Sequence, residues 1–192
     1  MIDWIKRHKW WFFGIIVLGG LVTWFQRWLD LRDHRHDEVI LAAAAKYSVD
    51  PALVKAVIWR ESRFDATAKG RSGEIGLMQI MPATAEDWVG AERLKSFTHA
   101  QLFNPADNAQ CGAWYLHRLL RRYHDTDNPL VYALAAYNAG PTTITKWTKG
   151  AGATNSVEFL MEIDYRGTKK YIESVLERYR HYQKRFVAPK KA

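Results

Sequence analysis

The distribution of apolar and polar residues separates an N-terminal apolar stretch from a longer region of amphipathic segments. Residues 10–26 (WWFFGIIVLGGLVTWFQ) carry no charged side chain and have Trp near both ends. As a helix the stretch covers about 26 Å, and extension through Trp28 brings it close to the thickness of a bilayer core, about 30 Å. The pattern predicts one membrane-spanning anchor over residues 1–28, followed by a charged juxtamembrane linker over residues 29–38.

A cleaved signal peptide is the alternative interpretation of this stretch. The residues that follow it, RWLD at 27–30, lack the small-x-small pattern of a cleavage site, so retention as an anchor is favoured. The flanking charges do not orient the anchor, because three basic residues precede the stretch and three follow it: Lys6, Arg7 and Lys9, then Arg27, Arg32 and Arg35.

The rest of the chain is typical of a mainly α domain, which we place at residues 39–186, with a basic tail at 187–192. Apolar residues recur at helical spacing, Pro and Gly interrupt them, and no stretch alternates β-branched residues as a substantial sheet requires. Asp or Asn before Pro marks several helix starts. The predicted helices are about 36–47, 51–62, 82–89, 105–123, 129–138 and 168–186.

Composition narrows the class of protein. With 192 residues, 48% of them hydrophobic and 14% aromatic, the chain forms one ordinary packed domain and is not disordered. A single cysteine, Cys111, excludes an internal disulfide and a cysteine-based metal site, and it is most simply a small buried apolar residue. A net charge of +8 favours an anionic partner without identifying it, be it nucleic acid, lipid or cell-surface polymer.

One acidic residue occupies a position that the helical pattern reserves for an apolar one. Val54, Val57 and Ile58 form a stripe at i, i+3 and i+4, and Glu61 takes the next place, i+7. Partial burial and the negative end of the helix dipole would both raise the pKa of its carboxyl, as a general acid requires. From the pattern alone, a solvent-exposed glutamate paired with Arg60 or Arg63 remains the alternative.

The residues around Glu61 resemble the lytic transglycosylases that have a goose-type lysozyme-like (SLT) domain. In residues 61–85 (ESRFDATAKGRSGEIGLMQIMPATA), Glu-Ser ends a helix, and Gly-Leu-Met-Gln and Met-Pro follow at the family's spacing. Residues 104–120 resemble the connecting helix, and AYNAG at 136–140 matches the third motif. The resemblance covers about residues 40–185 and implies a lysozyme-like transglycosylase domain behind the anchor.

The resemblance also implies roles for individual residues. Glu61 is expected to be the sole acid and base, Gln79 to hydrogen-bond the sugar and Met81 to pack on it. Tyr137 and Asn138 are expected to face the catalytic carboxyl and the N-acetyl group. Amide, hydroxyl, aromatic and thioether groups suit a glycan, because they match its hydroxyls and its apolar faces.

Some positions depart from the family pattern. A serine common in relatives is Gly70 here, so Ser72 is the candidate to orient Glu61, and Glu74 stands where a small residue is usual. The fourth motif is degraded in EIDYRGTKKYIESVL (162–176), where Tyr171 persists as a candidate substrate-binding residue and Glu162 is a candidate to compensate for the missing acid.

The resemblance implies cleavage of the MurNAc–GlcNAc bond of peptidoglycan with formation of 1,6-anhydromuramic ends, and it requires no metal or cofactor. We therefore expect glycan strands and membrane lipid as partners, no nucleic acid, and a periplasmic domain anchored in the bacterial inner membrane. Two alternatives stay open. One is a muramidase of the same fold in which Asp65, Glu74 or Glu162 positions water; the other is an inert, membrane-anchored cell-wall binder.

Overall fold

The computed structural model describes residues 2–186, with side chains described for residues 10, 11 and 13–186. Contacts divide the chain into two compact units, one ending at Arg35 and the other beginning at His36. The division falls within the range predicted as a linker, although residues 29–34 continue the first helix. The basic tail predicted at 187–192 lies outside the described residues.

The first unit is one long helix, α1 (Ile2–His34). Its apolar side chains are exposed, with Trp11 at 75% and Ile16 at 72% of full accessibility. Among residues 2–186, no helix combines the length and the apolar character needed to cross a membrane. The spanning helix predicted over residues 1–28 is therefore not found there; its uncharged stretch, 10–26, is shorter than the roughly 20 residues that a crossing needs.

The second unit consists of helices, most of which begin at the Pro, Asn and Asp signals of the sequence. They are α2 (Asp37–Tyr47), α3 (Pro51–Ser62), α4 (Pro82–Glu92), α5 (Pro105–Arg122), α6 (Pro129–Ala139), α7 (Pro141–Ile144), α8 (Ser156–Glu162) and α9 (Arg166–Arg185). The six predicted helices are confirmed to within three residues at each end. Between residues 2 and 186 the only β-structure is two isolated bridges, so the mainly α class is confirmed.

Side-chain caps fix the starts of two helices that matter for the site. Asp50 Oδ1 accepts a hydrogen bond from the Ala52 amide at 2.8 Å and so caps α3. Asn104 Oδ1 accepts from the amides of Ala106 and Asp107 and caps α5. These bonds satisfy amides that have no partner within the helix, while the adjacent Pro supplies a helical φ. Asn128, at the start of α6, makes no such bond.

Helix α6 lies at the centre of the domain. Its residues 131–136 are all buried, and the helix packs against both α5 and α9. A helix that is apolar around its whole circumference belongs in the core, where each face meets another element. Helix α3 also packs on α9, so the carboxyl ends of α3 and α6 both adjoin the same long helix.

The segment between α6 and α9 contains short elements that the sequence pattern did not predict, α7, α8 and a 3-10 helix at Gly150–Ala153. Aromatic packing holds it: Phe159 stacks on Tyr132 with ring centroids 4.1 Å apart, and Trp147 Nε1 donates to Asp164 at 2.8 Å. Elements this short show no helical periodicity, because contacts distant in sequence stabilise them.

Candidate active site

The carboxyl of Glu61 lies at the end of α3, in a partly buried position. The apolar stripe that precedes it is confirmed, since Val54, Val57 and Ile58 are fully buried. Burial raises the pKa of Glu61 to about 7, and the negative charge of Glu74 adds to the rise. A hydrogen bond from Tyr171 and the charge of Arg60 oppose it. The carboxyl can therefore either hold or release a proton near neutral pH.

Tyr171 positions this carboxyl. Its hydroxyl donates to Glu61 Oε1 at 2.7 Å, across 110 residues of sequence, and its ring is 1% exposed on α9. Tyr171 was a predicted substrate-binding residue; in the structure it does not line the cavity described below, and its hydroxyl fixes one oxygen of the Glu61 carboxyl. Burial and the neighbouring Glu61 hold the pKa of Tyr171 well above its usual value, so the phenol remains a donor.

Replacement of this phenol gives a first prediction. Because the Tyr171 hydrogen bond lowers the pKa of Glu61, Tyr171→Phe is expected to raise it above about 7. The basic limb of the pH–rate profile then moves to higher pH, while kcat falls about tenfold because the carboxyl is less well oriented. Tyr179→Phe on the same helix is the control, since its hydroxyl bonds Asp50. A lower rate with an unmoved profile would contradict the assignment.

A cavity of about 440 Å³ brings together five predicted residues in its lining: Ser72, Gln79, Met81, Tyr137 and Asn138. Glu61 is not among the lining residues. The cavity lies near its carboxyl, because two lining residues interact with it electrostatically: the charge of Glu74 raises the pKa of Glu61, and the charge of Glu61 raises the pKa of Tyr137. Met81 is 40% exposed and so offers its thioether to a ligand.

The polar groups of the cavity are held by bonds to the protein. Gln79 has a positive φ of 49°, and its Nε2 donates to the carbonyls of Gly76 and Ala68. This arrangement leaves the Gln79 Oε1 as an acceptor for a hydroxyl. The Tyr137 hydroxyl donates to the Met78 carbonyl at 2.8 Å, and Asn138 Oδ1 accepts from Thr168 at 2.9 Å.

Besides Tyr171, two predicted residues differ from their expected roles. Ser72 was the candidate to orient Glu61, but the bond to that carboxyl comes from Tyr171, while the Ser72 amide donates to Glu74 Oε2 at 2.8 Å. Glu162 is exposed at the end of α8 and does not line the cavity. The degraded motif therefore supplies no second acid from this position; the acid beside Glu61 is Glu74.

A buried amide supports the cavity wall, and sequence reasoning missed it. Asn108 is fully buried on α5; its Nδ2 donates to the carbonyls of Ile75 and Leu102, and its Oδ1 accepts from the Met78 amide at 2.8 Å. Gly76 makes this approach possible, since its φ is +77° and a Cβ there would lie 2.1 Å from Asn108 Nδ2. The signal in the sequence was an asparagine on the apolar face of α5.

Sequence reasoning also missed Tyr115, which lines the cavity and packs against Tyr137 with ring centroids 5.4 Å apart. Cys111 is fully buried, as predicted, and burial raises the pKa of its thiol to about 12. Across the part of the chain that the structure describes, no group of three or more His, Cys, Asp or Glu side chains could hold a metal ion.

The sequence model of the Transglycosylase SLT domain family matches residues 38–160, well over half of the chain. The chain belongs to this family. The match begins just after the division between the two units and includes Glu61, the cavity wall and the AYNAG segment. The resemblance inferred from three separated motifs is thereby confirmed.

Curated relatives of this SLT domain are lytic murein transglycosylases. The soluble lytic murein transglycosylase of Salmonella typhimurium is 32% identical over 75% of this chain and 22% of its own length. The membrane-bound lytic murein transglycosylase C of Shigella sonnei is 38% identical over 68% of this chain and 38% of its own length. The chain thus spans well under half of each of these relatives.

A solved structure gives the same result for the SLT fold. The lytic transglycosylase Slt of Pseudomonas aeruginosa, determined as an inactive glutamate-to-glutamine mutant, superposes with a TM-score of 0.73 and 27% identity. The superposition covers 82% of this chain and 25% of that chain. The lysozyme-like lytic transglycosylase fold predicted for the domain is therefore confirmed.

Proposed function

We propose that the chain is a peptidoglycan lytic transglycosylase that cleaves the β-1,4 bond between MurNAc and GlcNAc and leaves 1,6-anhydromuramic ends. The observation that carries the proposal is the partly buried Glu61, whose pKa of about 7 lets one group both give and take a proton. The residues around Glu61 support the same reaction. So do the membership of the chain in the SLT family and the inactivity of the glutamine mutant of the P. aeruginosa relative.

The reaction needs one carboxyl because the substrate supplies the other groups. Glu61 donates its proton to the glycosidic oxygen, and the bond from that oxygen to C1 of MurNAc breaks. The 2-acetamido oxygen stabilises the positive charge that develops at C1. The Glu61 carboxylate then takes the proton of the C6 hydroxyl, whose oxygen attacks C1 and closes the 1,6-anhydro ring. No water is consumed, and proximity replaces an external nucleophile.

In this scheme the cavity residues orient the sugar. The Oε1 of Gln79 accepts a sugar hydroxyl, Met81 covers an apolar face, and Asn138 and Tyr137 hold the acetamido group; the lining of one cavity by all four supports these roles. Tyr171 holds the Glu61 carboxyl through its hydroxyl. These contacts restrict the substrate to a geometry in which its own hydroxyl reaches C1.

A hydrolytic muramidase is a second candidate, favoured by one observation: Glu74 lines the same cavity and could position water. Mass spectrometry of digested peptidoglycan separates the two reactions. The proposal predicts anhydromuramic ends, whereas reducing ends alone would show that water is the acceptor. Glu74→Gln tests the muramidase alternative: the variant should still form the anhydro product and should lose only a product of hydrolysis.

We also propose that the chain acts outside the cytoplasm, at the bacterial inner membrane, with α1 attached to lipid. Exposed apolar side chains along α1, basic residues before them, and the membrane-bound S. sonnei relative support this location. The single-pass topology expected from the sequence is not part of the proposal, because no described helix suits a crossing.

Vesicle binding gives a second prediction. Ile16→Gln with Leu18→Gln removes two apolar side chains, 72% and 63% exposed on α1, and should weaken sedimentation with anionic phospholipid vesicles more than tenfold. The matched control is Val157→Gln with Met161→Gln, two exposed apolar residues of α8. Equal binding by both double variants would contradict attachment through α1.

A further inference from the structure

A second cavity, of about 430 Å³, adjoins the one beside Glu61. The two share four lining residues, Ala83, Thr84, Tyr115 and Pro141. Beyond these, the second cavity is lined by Asp87 of α4 and by Arg118, Leu119 and Arg122 of α5. The two cavities are therefore neighbours along one wall, and we call them the two halves of a cleft: the outer half contains Arg118, Arg122 and Asp87, and the inner half contains Glu74.

The outer half follows one face of α5. Tyr115, Arg118, Leu119 and Arg122 stand at i, i+3, i+4 and i+7, so they point to the same side of the helix. At 1.5 Å per residue, Arg122 lies about 10 Å along the axis from Tyr115. A ligand that occupies both halves therefore extends well past the reacting sugar before it reaches the guanidinium of Arg122.

The charges of the outer half do not balance. Arg118 Nη1 pairs with Asp87 Oδ2 at 2.9 Å, which neutralises one guanidinium. Arg122 is exposed, with its guanidinium 5.9 Å from the Tyr123 ring, and it forms no ion pair with any residue in the described part of the chain. One net positive charge remains, and a carboxylate is the group that a guanidinium binds in bidentate geometry.

We propose that the outer half of the cleft binds a carboxylate of a peptide stem carried by the glycan strand, with Arg122 as its principal partner. The inference rests on the proposed function. Charge complementarity selects the stem over further sugars, because the glycan backbone offers hydroxyl and amide groups, whereas the stems carry free carboxylates.

Two substrates test the assignment: peptidoglycan with its stems, and glycan strands from which an amidase has removed them. Arg122→Gln should raise KM about tenfold for the first substrate, leave its kcat unchanged, and leave both constants unchanged for the second. Arg121→Gln, the same charge change on the next residue, lines neither cavity and is the control. Asp87→Asn should lower KM for the stem-bearing substrate, because it releases Arg118 from its ion pair.

An Arg122→Gln variant that alters both substrates equally, or neither, would overturn the inference. Binding measured without turnover keeps this result separate from the proposed reaction: the Kd of a stem-bearing fragment for Glu61→Gln should rise about tenfold when Arg122→Gln is added. If wild-type protein forms no anhydro product while this difference in Kd is seen, the proposed reaction fails and the peptide site stands. If product forms and the Kd does not differ, the peptide site fails alone.

Discussion

Glu61→Gln is expected to lower the rate of peptidoglycan cleavage by about 1,000-fold or more, while the protein remains folded. The amide has nearly the shape of the carboxyl and can still accept the hydrogen bond from Tyr171, but it cannot donate a proton to the glycosidic oxygen or remove one from the C6 hydroxyl. General acid–base catalysis typically contributes about 100- to 10,000-fold, and here one group serves both steps. The measurement is the release of soluble muropeptides from purified sacculi.

The same variant is expected to be more stable than the wild type at alkaline pH. The pKa of Glu61 is raised from 4.5 to about 7 by burial, so the folded protein binds this proton more tightly than the unfolded chain does. The resulting stability is fully present below pH 4.5 and is lost as pH rises through 7. At pH 8, Glu61→Gln should therefore gain up to about 3 kcal/mol in the free energy of unfolding, with little gain at pH 4.

Glu177→Gln is the matched control, because this glutamate is exposed on α9 and lines neither cavity. It should retain full activity and show no pH-dependent gain. Denaturation in urea at pH 4, 6 and 8 compares the three proteins. Cleavage activity and helical circular dichroism are measured on the same sample, because only an inactive variant that is still folded reports on proton transfer. Activity in Glu61→Gln would contradict the role assigned to Glu61.

The acidic end of α3 could be predicted from the sequence because it depends on local spacing. Asp50 and Pro51 begin the helix, and the apolar stripe leads directly to Glu61. Both the helix and its one acidic residue on the apolar face can therefore be recognised within about a dozen positions. The residues proposed to face the sugar required the family resemblance, since Gln79, Met81 and Asn138 are ordinary loop and helix-end residues by pattern alone. The structure brings them to one cavity with the side of α6 that carries Tyr137.

Contacts between distant residues could not be predicted in this way. The Tyr171–Glu61 bond joins two helices 110 residues apart, and spacing within either helix gives no indication of it. Lys55 is a second example: it sits on the buried face of α3, fully enclosed, where its ammonium pairs with Asp37 at 2.5 Å. A periodicity argument marks such a residue as exposed, because the partner that permits its burial comes from another helix.

The second of the large effects is expected at Asn108, whose amide holds the cavity wall to α5. Asn108→Ala leaves the Met78 amide and the Leu102 carbonyl without a partner in a fully buried site, while the Ile75 carbonyl keeps its hydrogen bond from the Ile80 amide. Each unsatisfied group costs about 1 to 3 kcal/mol, so the free energy of unfolding should fall by about 4 kcal/mol. Activity should fall even where the protein is still folded, because the displaced segment, residues 75–79, contains Gln79 and Met78. The Met78 carbonyl accepts the hydrogen bond from the Tyr137 hydroxyl.

Asn128→Ala provides the comparison, since Asn128 is exposed at the start of α6 and makes no side-chain capping bond. That variant should change the free energy of unfolding by less than about 0.5 kcal/mol. Activity of Asn108→Ala is measured on samples whose circular dichroism shows a folded protein, so that any loss reports on the geometry of the wall. If Asn108→Ala unfolds at the same urea concentration as Asn128→Ala, the buried amide does not hold the segment from Ile75 to Gln79 in place, because the Met78 amide and the Leu102 carbonyl cannot lose their partner without cost in a buried site.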